Sequence, residues 1–127
     1  MKGLGWLLLA PASALACGEG LPWRAQAQGW QVAFESRPAP LPLGRHFELR
    51  GVVCPPPGTA LATTLRVDAD MPAHRHGMNY RASTQLAADG SFSAQGLLFH
   101  MPGRWRVLFD LQTAGGPLRL QHELERK

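Results

Sequence analysis

The chain has 127 residues, with 13 basic and 9 acidic side chains, five histidines and a formal net charge of +4. That length suits one domain with one modest core and leaves no room for a second. The pI is about 9.8, yet Arg45, Arg50, Arg66, Arg81, Arg104, Arg106 and Arg119 are scattered among acids, so the footprint of a nucleic-acid binder is missing and no such partner is expected.

The first segment reads as a secretory signal peptide over residues 1–16. Lys2 supplies a positive start, Leu7 to Leu9 a short apolar core, and Ala14-Leu15-Ala16 the small residues a signal peptidase needs. The apolar core is far shorter than the roughly 20 residues of a membrane span. Cleavage before Cys17 predicts an exported protein of the periplasm or envelope. Two fates then compete for Cys17. As a bacterial lipobox cysteine it would carry a lipid, making the chain a lipoprotein with that lipid as its sole membrane contact and Cys54 as an odd thiol. In an oxidising compartment it would instead pair with Cys54. Cys54 as a copper thiolate is disfavoured, because three prolines follow it and no histidine is local.

Residues 17–29 read as an N-terminal leader, and 30–127 as the single domain. The segment 36–45 is also rich in proline, which blocks central-strand pairing and predicts a loop or edge. The rest alternates with period two: Trp30, Val32, Phe34; Phe47, Leu49, Gly51, Val53; Leu65, Val67, Ala69; Tyr80, Ala82, Thr84, Leu86; Trp105, Val107, Phe109, Leu111; Leu118, Leu120, His122, Leu124. Runs this short with that period are half-buried strands. Pro55-Pro56-Pro57-Gly58, Asp89-Gly90, Pro102-Gly103 and Gly115-Gly116-Pro117 separate them as turns. The prediction is an all-β, antiparallel sandwich of about seven strands, immunoglobulin-like or cupredoxin-like, with almost no helix and with Val67, Phe92, Trp105, Val107 and Phe109 buried. A closed small barrel is the alternative.

Chemistry concentrates in Met71-Pro72-Ala73-His74-Arg75-His76-Gly77-Met78 and in the later pair His100-Met101. Thioether sulfur is a soft ligand and imidazole a borderline one, so a mixed set favours copper, Cu(I) above all, over magnesium, calcium or structural zinc. If the segment is extended, His74, His76 and Met78 project to one side. A bulge at Gly96 would put Phe92, Ala94, Leu97, Phe99 and Met101 on the core face and leave His100 as the ligand; without it the two exchange roles. The expected metal ligands are His74, His76 and His100, then Met78, then Met71 and Met101. Asp68 and Asp70 are candidates to orient a ligating imidazole. Against this stands the plainer reading in which the methionines fill the core and the histidines satisfy turn backbone. His46 and His122 take that plainer role. A set of His74, His76 and His100 with an open position would also match a catalytic zinc site. No G-x-S-x-G, phosphate loop, H-E-x-x-H or C-x-x-C is present, so the chain is not expected to be an enzyme.

The blocks from Asp68 to Met78 and from Gly96 to Trp105, matching M-P-x-H-x-H-G-M and M-x-G-x-W in order, resemble the bacterial YtkA-like domain family over about residues 45–113. That resemblance implies a small exported or membrane-tethered immunoglobulin-like sandwich. More distantly the pattern is similar to periplasmic copper chaperones that deliver Cu(I) to oxidase centres from a cupredoxin-like sandwich. It differs from them in crowding its histidines into one loop and in replacing H-x-M by adjacent His100-Met101. A blue-copper site fits less well, since no Cys stands beside a His/Met pair. The functional expectation is an exported copper-binding protein in copper handling or metalloenzyme assembly, meeting an envelope protein partner. The alternative is an envelope structural or interaction domain without metal.

Overall fold

The computed structural model describes Gly3, Gly5 and residues 16–127, so the signal-peptide reading lies outside the described residues apart from those three positions. Nine strands follow one another: β1 Trp23–Ala27, β2 Trp30–Arg37, β3 His46–Cys54, β4 Thr64–Met71, β5 His76–Gly77, β6 Ser83–Leu86, β7 Ser91–Leu98, β8 Gly103–Thr113 and β9 Gly116–Arg126. They form two antiparallel sheets, β1-β2-β3-β7-β6 and β5-β4-β8-β9, packed as a sandwich. No helix occurs among the described residues. The fold is the all-β sandwich that the alternating runs predict.

The two inner faces are built by the residues whose parity marked them. Val32, Phe34, Leu49, Val53, Phe92, Ala94 and Leu97 face Val67, Ala69, Trp105, Val107, Phe109, Leu111 and Leu120, all at most 5% exposed. Aromatic edges lock the layers together: Phe34 and Phe92 meet Phe109 at 4.9 and 5.9 Å between ring centroids. Such pairs add about 0.5–1.5 kcal/mol each beyond the area they bury.

Two strands exceed the expected seven. The segment read as a leader contains β1, whose five residues pair antiparallel with Trp30 to Phe34. Its composition hides it, because Pro, Gly, Ala and Gln surround and fill a five-residue strand whose inward side chains are Trp23, Ala25 and Ala27, with only Ala25 fully buried. The other addition is the two-residue β5, a short return against Asp70 and Met71. Conversely, the run expected to begin at Tyr80 starts at Ser83, and Tyr80 is left 48% exposed.

Cys17 and Cys54 form a disulfide with 5.9 Å between Cα atoms. It pins the turn at residues 17–20 against the outer face of the five-stranded sheet. Ala33 is buried there, and a Cβ on Gly18 (φ +56°) would stand only 2.4 Å from the Ala33 Cβ. Arg24 fastens the same turn by donating to the carbonyls of Cys17 and Gly18. A sulfur in this bond cannot carry a thioether-linked lipid, which corrects the lipoprotein alternative for Cys17. The bond is consistent with an oxidising, extracytoplasmic location.

Strand direction divides the sandwich into two poles. The disulfide, the Asp89-Gly90 turn and the turn between β8 and β9 share one end. The β4–β5 turn, the β7–β8 connection and the start of β3 share the other, as the registers of β3 with β7 and of β4 with β8 require.

Candidate metal centre

The β4–β5 turn creates the site by reversing the chain tightly. Met71 pairs with His76, the His74 N–H donates to the Met71 carbonyl at 3.1 Å, and Arg75 takes a left-handed φ of 53°. The extended segment expected for residues 74–78 is therefore replaced by a four-residue turn. The cause is local: Pro72 lacks an N–H for the ladder, and Arg75 takes the left-handed step that turns the chain back. His74 consequently reaches its neighbour by folding back. The His74 and His76 rings stack at 6.1 Å between centroids and 30° between planes.

The second contribution comes from the other sheet. β7 carries one extra residue against β3, since Phe47 faces Leu97 while Leu49 faces Ala94. Gly96 sits within that extra step at φ +84°, a conformation a glycine adopts without cost. The bulge places Phe92, Ala94, Leu97 and Phe99 in the core and turns His100 outward, the first of the two registers the sequence allows. His100 lies 6.3 Å from His76 between ring centroids, at 86°. It also stands 5.5 Å from the buried Trp105, edge to face. Trp105 in turn stacks on Phe99 at 4.3 Å and donates its Nε1–H to the Met101 carbonyl at 3.0 Å.

Three exposed imidazoles from two sheets thus meet at one pole above an aromatic floor. Among the described residues, no three His, Cys, Asp or Glu side chains already grip a common ion position. Taken pairwise, the 6.1 and 6.3 Å separations fall just inside the upper limit for two imidazoles on one ion. A nitrogen about 2 Å from an ion puts its ring centroid roughly 3.2 Å away, so two ligating imidazoles have centroids up to about 6.4 Å apart. Only a linear pair reaches that limit, so three imidazoles on one ion would require the rings to draw closer than they stand here.

The methionines divide. Met71 is 1% exposed and belongs to the core; a Cβ on Gly103 would come within 2.6 Å of its methyl, so the glycine is what makes room for it. Met101 is half-buried and packs on the core. Met78 is half-buried too and lines a cleft with Arg66, Asp68, Asn79, Tyr80 and Arg81. Asp68 and Asp70 do not orient an imidazole. Asp70 accepts two hydrogen bonds from Arg106 at 2.9 and 2.7 Å, and Asp68 accepts from the Ala69 N–H at 2.8 Å, because their parity on β4 points them away from the inner face. The guanidinium of Arg106 is held above its ordinary pKa, chiefly by that hydrogen bond, which with the Asp70 charge outweighs the opposing desolvation.

His46 and His122 take the plain structural role. His46 Nδ1 lies 3.2 Å from the Gly96 carbonyl, and His122 Nδ1 lies 2.9 Å from the Arg24 carbonyl. What sequence reasoning missed is Trp105 as the floor of the site. Its periodicity marks it as core, and only the stagger between Pro102-Gly103 and the bulged end of β7 brings His100 over it.

Fold and site together define a two-sheet β-sandwich with an imidazole-bearing pole. Compared with known proteins, the chain matches no family model, no curated protein and no solved structure.

Proposed function

We propose that this is an exported copper-binding protein whose ligands are His74, His76 and His100, with Met78 as the nearest thioether in sequence and Met101 behind it. The observation that carries the reading is that His76 stands between His100, which follows the other sheet's β7, and His74, at centroid distances of 6.3 and 6.1 Å on an exposed pole. Imidazole suits copper and zinc alike, and the half-buried Met78, two residues from His76, is what favours Cu(I). The resemblance to the YtkA-like family supports the exported sandwich, and only the more distant similarity to periplasmic copper chaperones bears on copper. The role is binding: storage, transfer to an envelope partner, or metalloenzyme assembly in the periplasm.

The donor chemistry determines what the chain's own residues do. The β4–β5 turn and the β7 bulge orient the rings, Trp105 and Phe99 exclude water from beneath them, and copper would supply the redox-active centre. Protons compete with metal for each imidazole, so affinity falls as pH is lowered. The competing reading, an interaction domain without metal, draws on Met71, which packs as an ordinary core side chain.

Titrating the purified protein with Cu(I) and Zn(II) under competition decides between them. Replacing both His74 and His76 with Ala removes most of the copper affinity, while His46→Ala and His122→Ala leave it intact. Equal affinity in the double variant and the parent overturns the site, and a clear preference for zinc overturns the Cu(I) assignment.

A further inference from the structure

Strand β9 is an edge strand of the four-stranded sheet, 11 residues long and paired with β8 without a break from Gly116 to Arg126. A regular edge of this length exposes a row of unpaired backbone groups, and proteins normally blunt such edges with bulges, prolines or inward charges. Here the only proline of the strand is Pro117, close to its start.

The hydrogen-bond phase shows which groups are free. The two-residue turn closes with Thr113 opposite Gly116, a hydrogen-bonded position in hairpins of this size. The phase of the sheet agrees: the Met78 N–H bonds the Ala69 carbonyl, which directs the odd residues of β4 to β5 and the even ones to β8. Even-numbered residues of β9 therefore bond to β8. The N–H and C=O groups of Arg119, Gln121, Glu123 and Glu125 point outward, and their side chains are all exposed. Pro117, with no N–H to offer, falls in the outward set. Residues 122–126 border a cleft of about 530 Å³ whose other wall is Pro22, Trp23 and Ala39 to Leu41; the inward side chains of His122 and Arg126 reach the Arg24 and Leu41 carbonyls across it, and among the described residues no strand pairs with the outer edge of β9.

The strand is also its own complement. In an antiparallel pair of two β9 strands with the two-fold axis at His122, Arg119 of each copy lies opposite Glu125 of the other, and Gln121 lies opposite Glu123. Every outward N–H between residues 119 and 125 then finds a carbonyl. Moving the axis to Gln121 instead sets Pro117 against Glu125 and forfeits a donor. We propose that the edge of β9 pairs with β9 of a second copy in this register, joining the two four-stranded sheets into one continuous sheet of eight. The axis is perpendicular to that sheet, so the two histidine poles point in opposite directions and each remains a site of one chain. The inference is independent of metal binding.

Equilibrium sedimentation of the purified, disulfide-intact protein tests it. The expected result is a dimer. Gln121→Pro removes an outward N–H without touching the β8–β9 ladder, and it should yield a monomer with the parent's circular dichroism. Glu125→Arg sets like charges opposite each other twice, and should weaken the dimer on the order of ten-fold. A monomeric parent, a folded Gln121→Pro variant that stays dimeric, or a Glu125→Arg dimer as tight as the parent's overturns the proposal. Because copper titration reads the other pole, failure of the dimer and failure of the metal site are separate results.

Discussion

His100 stands edge-on to Trp105, with ring centroids 5.5 Å apart and planes at 85°. One ring is exposed and the other is fully buried, so the pair couples the surface pole to the core. An ion held by His100 would sit within short range of an indole that stacks on Phe99.

The first prediction uses that proximity. Copper bound at the pole quenches Trp105 emission, and titration followed by fluorescence shows a loss of intensity that Trp105→Phe and His100→Ala each abolish. Quenching that persists in both variants would place the ion elsewhere.

Binding also stabilises. A ligand that binds only the folded state at about 100 times its dissociation constant adds about 2.7 kcal/mol. Copper at that ratio should raise the melting temperature, and a chelator should return it to the starting value, with no such shift in the His74→Ala/His76→Ala variant.

Trp105 carries a share of the core by itself, being 0% exposed with its Nε1–H satisfied by the Met101 carbonyl. Trp105→Ala should cost on the order of 3–5 kcal/mol, measured by denaturant unfolding. An unchanged midpoint would contradict the packing described.

The disulfide closes a loop with a sequence separation of 37. A constraint on the unfolded chain of that length contributes roughly 4 kcal/mol. Reduction, or replacing both Cys17 and Cys54 with Ala, should lower stability by about that amount and free the turn over Ala33, which hydrogen exchange around Ala33 and Val52 would report.

Acid sensitivity has a named source in the β6–β7 turn. Asp89 accepts from the Ser91 hydroxyl and N–H at 2.6 and 2.9 Å, and these bonds hold its carboxyl below the ordinary value. A carboxylate depressed in the folded state stabilises fully above its unfolded pKa and loses that contribution as pH falls through the folded one. Asp89→Asn should therefore flatten the acid limb of the melting profile and leave the basic limb unchanged.

The sandwich was legible in the sequence because side-chain parity in a strand is fixed at two, whatever its partners. Alternation alone placed Val67, Phe92, Trp105, Val107 and Phe109 inside, and all five are buried. A single glycine also made the β7 bulge readable, since Gly96 is the point at which the apolar parity of that run breaks. β1 was not legible, because its alternation of Trp23, Ala25 and Ala27 spans only five residues, two of them small alanines, inside a Gly- and Gln-rich segment, and pairing with β2 is what holds it.

The site divides along the same line. Residue chemistry alone singled out His74, His76 and His100, and the two cysteines that lie one bond apart in the fold. Only the tertiary structure decided that His74 reaches His76 through a turn, that Asp70 is taken by Arg106, that Met71 is core, and that Trp105 lies under His100. Composition and period are properties of the chain read one residue at a time. Convergence depends on which strands neighbour which, and that follows from how two twisted sheets bury their apolar faces together.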